Sequence, residues 1–267
     1  MTRATLIAPA KLTLTLRVTG ICERNPFRGY HLIDAVMTTL DLHDVIELEE
    51  LPPGSPNRVT YTGKFSSGLD GSLGTDLVSR ALRVVNRPAE VTVTKNIPHG
   101  GGLGGGSADA AAILRWAGVT DLDVAAGLGA DVAFCLAGQG RAQVRGIGEI
   151  VEDLPPEPGT VTVIVPPFSV STPAVYRAFD EMHDEMHDEQ HLDERPEAPT
   201  FSSGVNDLES AAMVVEPRLQ HWKHLIAETS GMTPTLAGSG STWFVVGDHG
   251  YLATRLPEAT VVVTGYQ

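Results

Sequence analysis

The stretch Pro98-His99-Gly100-Gly101-Gly102-Leu103-Gly104-Gly105-Gly106-Ser107-Ala108-Asp109-Ala110-Ala111 constrains this chain most. Six of the seven positions from 100 to 106 are glycine, and an alanine-rich apolar segment follows. Ahead of it, Val91-Thr92-Val93-Thr94 alternates as a strand does; behind it, Ala111 to Trp116 reads as a helix. Ile113, Leu114 and Trp116 are available there for packing. Strand, glycine loop and helix start together make a phosphate-binding geometry. Glycine lets the backbone turn through conformations closed to other residues and removes side chains that would hold a ligand off. The N–H groups opening the helix then converge on an anion, helped by the helix dipole. A flexible linker is the plainer reading, but linker glycines are usually flanked by polar residues and these are flanked by core-like segments.

No Gly-Lys-Ser or Gly-Lys-Thr follows the glycines, so the loop is not that of the common nucleoside triphosphatases. Gly100 to Gly105 offers chance matches to a Gly-x-Gly-x-x-Gly string, but dinucleotide loops normally follow the first strand and this one begins at residue 98. NAD binding is an alternative that a comparison of ATP with NAD decides. Two other segments point in one direction. Ala8-Pro9-Ala10-Lys11-Leu12-Thr13-Leu14 lies on an early strand, and Leu236-Ala237-Gly238-Ser239-Gly240-Ser241-Thr242 makes a glycine-rich turn near the C-terminus. The three segments, in this order, resemble the Pro-x-Lys-x-Asn start, the Pro-x-x-x-Gly-Leu-Gly-x-x-Ser loop and the C-terminal glycine turn of the GHMP small-molecule kinases.

Composition sets bounds on the reading. At 267 residues the chain holds one large domain or two ordinary ones, with enough apolar content for a substantial core. No apolar run approaches the roughly 18 residues needed to cross a bilayer, and the N-terminus reads as a strand without a cleavable signal. The two cysteines, Cys22 and Cys135, read as free thiols, which suits a cytoplasmic protein. A net charge of −14 argues against a nucleic-acid surface, though a few placed cations and backbone amides suffice for a small anion. Much of the acidity falls in residues 180 to 197, opposed there by Arg195 alone. Within it Glu181-Met182-His183-Asp184 repeats as Glu185-Met186-His187-Asp188. A helix would align His183, His187 and His191 for a surface metal, but a solvated acidic excursion is the reading favoured by so little apolar surface.

The segment pattern is α+β with two lobes. Leu12 to Leu16 alternates with period two, Val36 to Leu48 reads as extended, and Thr75 to Val85 as a helix. Residues 141 to 152 read as two short strands around Gly146-Ile147-Gly148, and Leu154-Pro155-Pro156-Glu157-Pro158-Gly159 suggests a boundary. Domains of 1–154 and 155–267 follow. Val161 to Val165 then reads as a buried strand, with helices at about 206 to 228 and strands at Trp243 to Val246 and Thr260 to Thr264. The resemblance implies a ribosomal-protein-S5-like α/β lobe, a ferredoxin-like α+β lobe, and an active site between them.

It also implies a phosphotransferase using ATP and Mg²⁺. Pro98, Gly100, Gly101, Gly102, Leu103, Gly104, Gly105, Gly106 and Ser107 would form the ATP loop, with the Ser107 hydroxyl ligating Mg²⁺ or a phosphate. Helix N-capping is the other use open to Ser107. Asp131, in Gly129-Ala130-Asp131-Val132, would be the catalytic base, although by position alone it too could cap a helix. Lys11 would sit beside it and ease formation of the alkoxide. Asp76 stands where the family has an asparagine on the adenine side, and Thr13 where it has the asparagine after the lysine. Gly29-Tyr30-His31 and Gly146-Ile147-Gly148-Glu149 resemble the markers of a member acting on a cytidine diphosphate sugar alcohol. Tyr30 and His31 would then meet the pyrimidine, Thr172 and Tyr176 would close the substrate pocket, and Gly238, Ser239 and Gly240 would floor it. A mevalonate- or homoserine-type kinase, or a catalytically silent nucleotide-binding relative, are the other readings. The expected protein works on a small molecule, without nucleic acid or membrane, as a monomer or weak homodimer.

Overall fold

Two long strands form the frame of the computed structural model, which describes residues 2–138, 140–184 and 204–267. Strand β1 (Arg3–Ile21) runs antiparallel to β2 (His31–Glu50), with register shifts between Pro9 and Lys11, Thr13 and Thr15, and Val18 and Gly20. β-bulges of this kind re-aim side chains, and the first of them falls at Lys11. The pair is joined through 22–30, where the Cys22 N–H donates to the Tyr30 carbonyl at 2.7 Å. Strand β3 (Arg58–Thr62) lies parallel to β4 (Ala89–Thr94), and β4 pairs antiparallel with β2. Between them α1 (Leu77–Val85) is started by Asp76, whose carboxylate accepts from the Ser79 N–H. Helices α2 (Gly105–Trp116), α3 (Leu122–Leu128) and α4 (Ala130–Ala137) follow, then the antiparallel strands β5 (Arg141–Gly146) and β6 (Ile150–Asp153), with β5 on β2. Helix α2 buries Ala108 through Leu114 without a break, because α1, α4 and strand β1 all pack on it.

The remaining chain builds a second group of strands. It contains β7 (Gly159–Val165), α5 (Thr172–Asp184), α6 (Leu208–Val215), α7 (Arg218–Ser230), β8 (Thr235–Leu236), β9 (Trp243–Val246), α8 (Leu252–Arg255) and β10 (Thr260–Tyr266). The strand order is β10-β7-β9-β8, all antiparallel, and Tyr266 of β10 pairs with Leu40 of β2, which joins the two groups.

The expected alternation at Leu12 to Leu16 is present, but both faces of β1 are buried there. Ala10, Leu12 and Leu14 share a core with Val36, Leu40, Ile97, Leu103, Val161, Val163, Ala237 and Phe244, drawn from both strand groups. Lys11, Thr13 and Thr15 alternate with those leucines and are buried as well. Burying about one leucine-sized side chain is worth 1.5–3 kcal/mol, so this shared core holds the glycine turns of 98–107 and 237–242 against one another. The second half of the acidic repeat, with His187, and His191 beyond it lie outside the described residues. His183 belongs to α5, where its ring stacks on Phe179 at 3.9 Å.

Candidate active site

Lys11 leaves β1 beside a bulge and enters a nearly closed space. Its side chain is 5% exposed, and its Nζ lies 3.1 Å from Asp131 Oδ2 and donates to Thr13 Oγ1 at 3.1 Å. Asp131 is the second residue of α4, whose N-cap position is Gly129, so it does not cap the helix: its carboxylate is left for Lys11 and for the opening, at 34% exposure. The turn at Gly146-Ile147-Gly148 fixes where α4 begins. A Cβ on Gly148, at φ +115°, would meet the Ala130 carbonyl oxygen at 2.6 Å, so no larger residue lets the turn close on the helix. Glu149 ties the turn back on itself through the Ile147 N–H and outward to Arg24 of the 22–30 loop.

The glycine loop lies on Lys11. The Lys11 N–H donates to the Leu103 carbonyl at 3.0 Å, and Leu103 itself is sunk in the shared core, anchoring the loop by its side chain. Pro98 is buried too, whereas Gly100 is exposed. A Cβ on Gly104, at φ +68°, would fall 2.7 Å from Lys11 Cγ. The loop thus passes over the lysine with no room for a side chain. Helix α2 starts at Gly105, and its first intrahelical bond runs from the Ala108 N–H to the Gly104 carbonyl at 2.8 Å. The N–H groups of Gly105, Gly106 and Ser107 stand ahead of that ladder, at the positive end of the helix dipole. The cap is Gly104, so the N-cap role open to Ser107 is corrected: Ser107 is the third residue of the first turn, reached after two glycines with helical backbone.

The C-terminal glycine turn backs this loop. Thr242 donates its N–H to the Gly101 carbonyl at 3.1 Å, and a Cβ on Gly101 would collide with Thr242 Oγ1. Asn206 Nδ2 donates to the carbonyls of Leu236 and Gly238, at 2.9 and 2.7 Å, bracing the turn from the α6 side. Ser239 Oγ and Thr172 Oγ1 are hydrogen-bonded at 2.7 Å, which brings the start of α5 to the same rim. Gly240 is buried under the turn.

His31, at the start of β2, meets α5 rather than its neighbour Tyr30. Its ring stacks on Tyr176 at 4.5 Å and its Nε2 lies 2.7 Å from Asp180 Oδ1. Tyr30 is 58% exposed and packs edge-on against Phe27. The ring face beside His31 is therefore Tyr176. Burial, and after it the charge of Asp131, pushes the Tyr176 hydroxyl up to about 12, so this aromatic cluster lies within electrostatic reach of the Lys11–Asp131 pair. Asp76 caps α1, whose first residue, Leu77, comes up against Gly106 of the glycine loop. The Asp76 carboxylate is committed to the Ser79 N–H and hydroxyl and to the Tyr61 hydroxyl at 2.7 Å, and burial together with that carboxylate pushes Tyr61 up.

Behind the glycine loop sits a charged group that the sequence reading passed over. Lys95 Nζ bonds both Asp44, from β2, and Asp109, from α2, all three being buried. Cys22 and Cys135 are free and buried, and burial raises the Cys135 thiol to about 12, leaving it unreactive. Among the described residues no group of three His, Cys, Asp or Glu side chains is gathered to hold a metal, and no helix is long and apolar enough to cross a membrane.

Residues 76–139 match the family GHMP kinases N terminal domain. The chain is 38% identical over 242 residues to the 4-diphosphocytidyl-2-C-methyl-D-erythritol kinase of Paracoccus denitrificans, covering 89% of this chain and 84% of that protein. It is 33% identical to the protein of that name from Geobacillus thermodenitrificans, covering 92% and 89%. A crystal structure of 4-(cytidine 5'-diphospho)-2C-methyl-D-erythritol kinase superposes with a TM-score of 0.70 at 27% identity, over 98% of this chain and 99% of that one. The L. major mevalonate kinase in complex with R-mevalonate shares the fold, with a TM-score of 0.67 at 15% identity, over 100% and 96% of the two chains. With the glycine loop, the lysine of β1 and the second glycine turn built around one opening, the chain belongs to the 4-diphosphocytidyl-2-C-methyl-D-erythritol kinase family of GHMP kinases.

Proposed function

We propose that this chain is an ATP-dependent kinase that phosphorylates the 2-hydroxyl of 4-diphosphocytidyl-2-C-methyl-D-erythritol. The observation that carries the reading is the approach of Lys11 Nζ to Asp131 Oδ2 at 3.1 Å, directly under the glycine loop. Phosphoryl transfer asks a protein for positioning and charge neutralisation more than for covalent chemistry. A backbone cradle too tight for any Cβ at Gly104, followed by the start of a 12-residue helix, fits a polyphosphate. The N–H groups of Gly105, Gly106 and Ser107 would hold it, and the Ser107 hydroxyl would contact a phosphate oxygen or Mg²⁺. Mg²⁺ is bound in such sites through few protein ligands and mainly through phosphates, which agrees with a single hydroxyl here.

Asp131 would accept the proton of the attacking hydroxyl, its carboxylate being partly open to the site. Lys11, nearly sealed from water, would offset the charge that grows on that oxygen. Thr13 holds Lys11 by its hydroxyl and so serves the lysine, in place of an amide that could bond in two directions. Thr172, Ser239 and the Gly238–Gly240 turn would border the sugar alcohol, and His31 with Tyr176 would receive the cytosine. The same reading divides the chain at 154/155: loop, lysine and base come from the first part, and the α5 and 238–240 contacts from the second. A coupled assay of ADP release, comparing the cytidylylated substrate with mevalonate and homoserine, tests the proposal. Turnover on either of the latter two at rates equal to or above the first would overturn it.

A further inference from the structure

His31 is held by three residues of one helix face. Tyr176, Phe179 and Asp180 stand at i, i+3 and i+4 on α5, which places them side by side. Tyr176 stacks on the imidazole with planes 25° apart, and Phe179 meets it edge-on at 6.4 Å and 87°. The two rings fix the plane of the imidazole. Asp180 Oδ1 then takes Nε2 at 2.7 Å. A carboxylate oxygen accepts and cannot donate, so the bond puts the ring proton on Nε2. In the neutral ring Nδ1 is then a bare acceptor, and among the described residues it has no hydrogen-bond partner.

We infer that Asp180 is a positioning residue for base choice: it selects the His31 tautomer whose free Nδ1 accepts from an amino group and refuses a carbonyl. This rests on the reading that His31 receives the pyrimidine. At the exocyclic position on C4, one of the two at which the pyrimidines differ (ring N3 is the other), cytosine presents an amino donor and the keto base presents an oxygen acceptor. An acceptor on His31 bonds the first and faces the second lone pair to lone pair. Discrimination at that group therefore resides in where one proton sits, and that proton is placed by a side chain that need not touch the substrate. Asp180 is 46% exposed on the side chain, so changing it removes little buried surface, and its part is to direct the proton and hold the ring.

Asp180→Asn supplies an amide that either accepts from Nε2–H or donates to a bare Nε2, releasing the choice of tautomer; Asp180→Glu keeps an acceptor. For the full chain, kcat/KM is measured with the cytidine substrate and with its uridine analogue, and the ¹⁵N shifts of His31 are read by NMR. The expected result is a cytidine-to-uridine ratio that falls about tenfold in Asp180→Asn, the worth of one hydrogen bond, and recovers in Asp180→Glu. The ATP KM stays constant throughout, and wild-type Nδ1 shows no bound proton. A proton on Nδ1 in the wild type overturns the inference, as does a ratio that falls in His31→Ala but holds in Asp180→Asn. A ratio unmoved by His31→Ala removes the assignment of His31 itself, and the inference with it.

Discussion

Asp109 meets Lys95 through one oxygen only: Oδ2 lies 2.6 Å from Nζ, while Oδ1 is buried with no hydrogen-bond partner. Asp44, on the other side of the same ammonium, also accepts from the Asn96 and Ile97 N–H groups, at 2.5 and 2.8 Å. Two carboxylates share one cation, and the poorly bonded one is disfavoured as an anion. Burial pushes the pKa of Asp109 up to about 7; Lys95 opposes the rise and Asp44 adds to it.

The sign of the pH effect follows. The folded protein holds the Asp109 proton to a higher pH than the unfolded chain, where an aspartate titrates near 3.9. The stabilisation is complete below about pH 4 and is lost as pH rises through about 7, with a size of a few kcal/mol. Asp109→Asn removes the titration while keeping the shape. The melting temperature of the wild type should fall relative to that of the variant between pH 5 and 8. Parallel curves would show that Asp109 is ionised throughout. The groups facing it are Lys95 and Asp44, with Tyr61 and Cys135 coupled to it electrostatically.

Asp131→Asn keeps the size of the side chain but cannot take a proton. Turnover should drop about 10²–10⁴-fold, with the dissociation constant for ATP nearly unchanged. Single-turnover kinetics that match wild type would remove Asp131 from the proton transfer.

Gly104→Ala adds a methyl where Lys11 Cγ already stands, on a backbone with φ +68°. Strain of this kind costs about 1–3 kcal/mol. The loop must shift off the lysine, so ATP affinity and kcat should both fall. Isothermal titration beside a steady-state assay reads this; a variant with wild-type values in both would mean that the loop does not need its close approach.

Leu114, fully buried at the C-terminal end of the core face of α2, tests the scaffold. Leu114→Ala should lower the unfolding free energy by about 2–5 kcal/mol through the cavity it leaves. Urea melts measure it, and a loss below 1 kcal/mol would show that the helix repacks freely.

Much of the strand content was readable because its signals are local. Trp243–Val246 and the segment beginning at Thr260 are as expected, and Val91–Thr94 is extended by two residues to Ala89. The helix after the glycines starts at Gly105 instead of near Ala111, since glycines carry no apolar periodicity, and tertiary contact holds them helical. Lys11 and Asp131 carry motif signals and lie together. Asp44, Lys95 and Asp109 carry none, as each belongs to a different element and only folding makes them neighbours. The same holds for Asp180, which reads as one more charge in an acidic run until α5 turns it toward His31. Tyr30 and His31 are neighbours in sequence, but folding gives them different surroundings: His31 opens β2 and stacks on Tyr176 of α5, while Tyr30, just ahead of the strand, is exposed beside Phe27.

Strand β2 has a mechanical consequence. It is hydrogen-bonded to β1, β4 and β5 and, through Leu40, to Tyr266 of β10, and the leucines of β1 beside it pack on the valines of β7. A beam shared by both halves offers no crease for them to swing about without tearing a dry seam. The glycine loop and the 238–242 turn, pinned to this beam through Leu103 and Ala237, keep their spacing from Lys11 and from each other. The chemistry beneath them can stay assembled through every cycle of turnover.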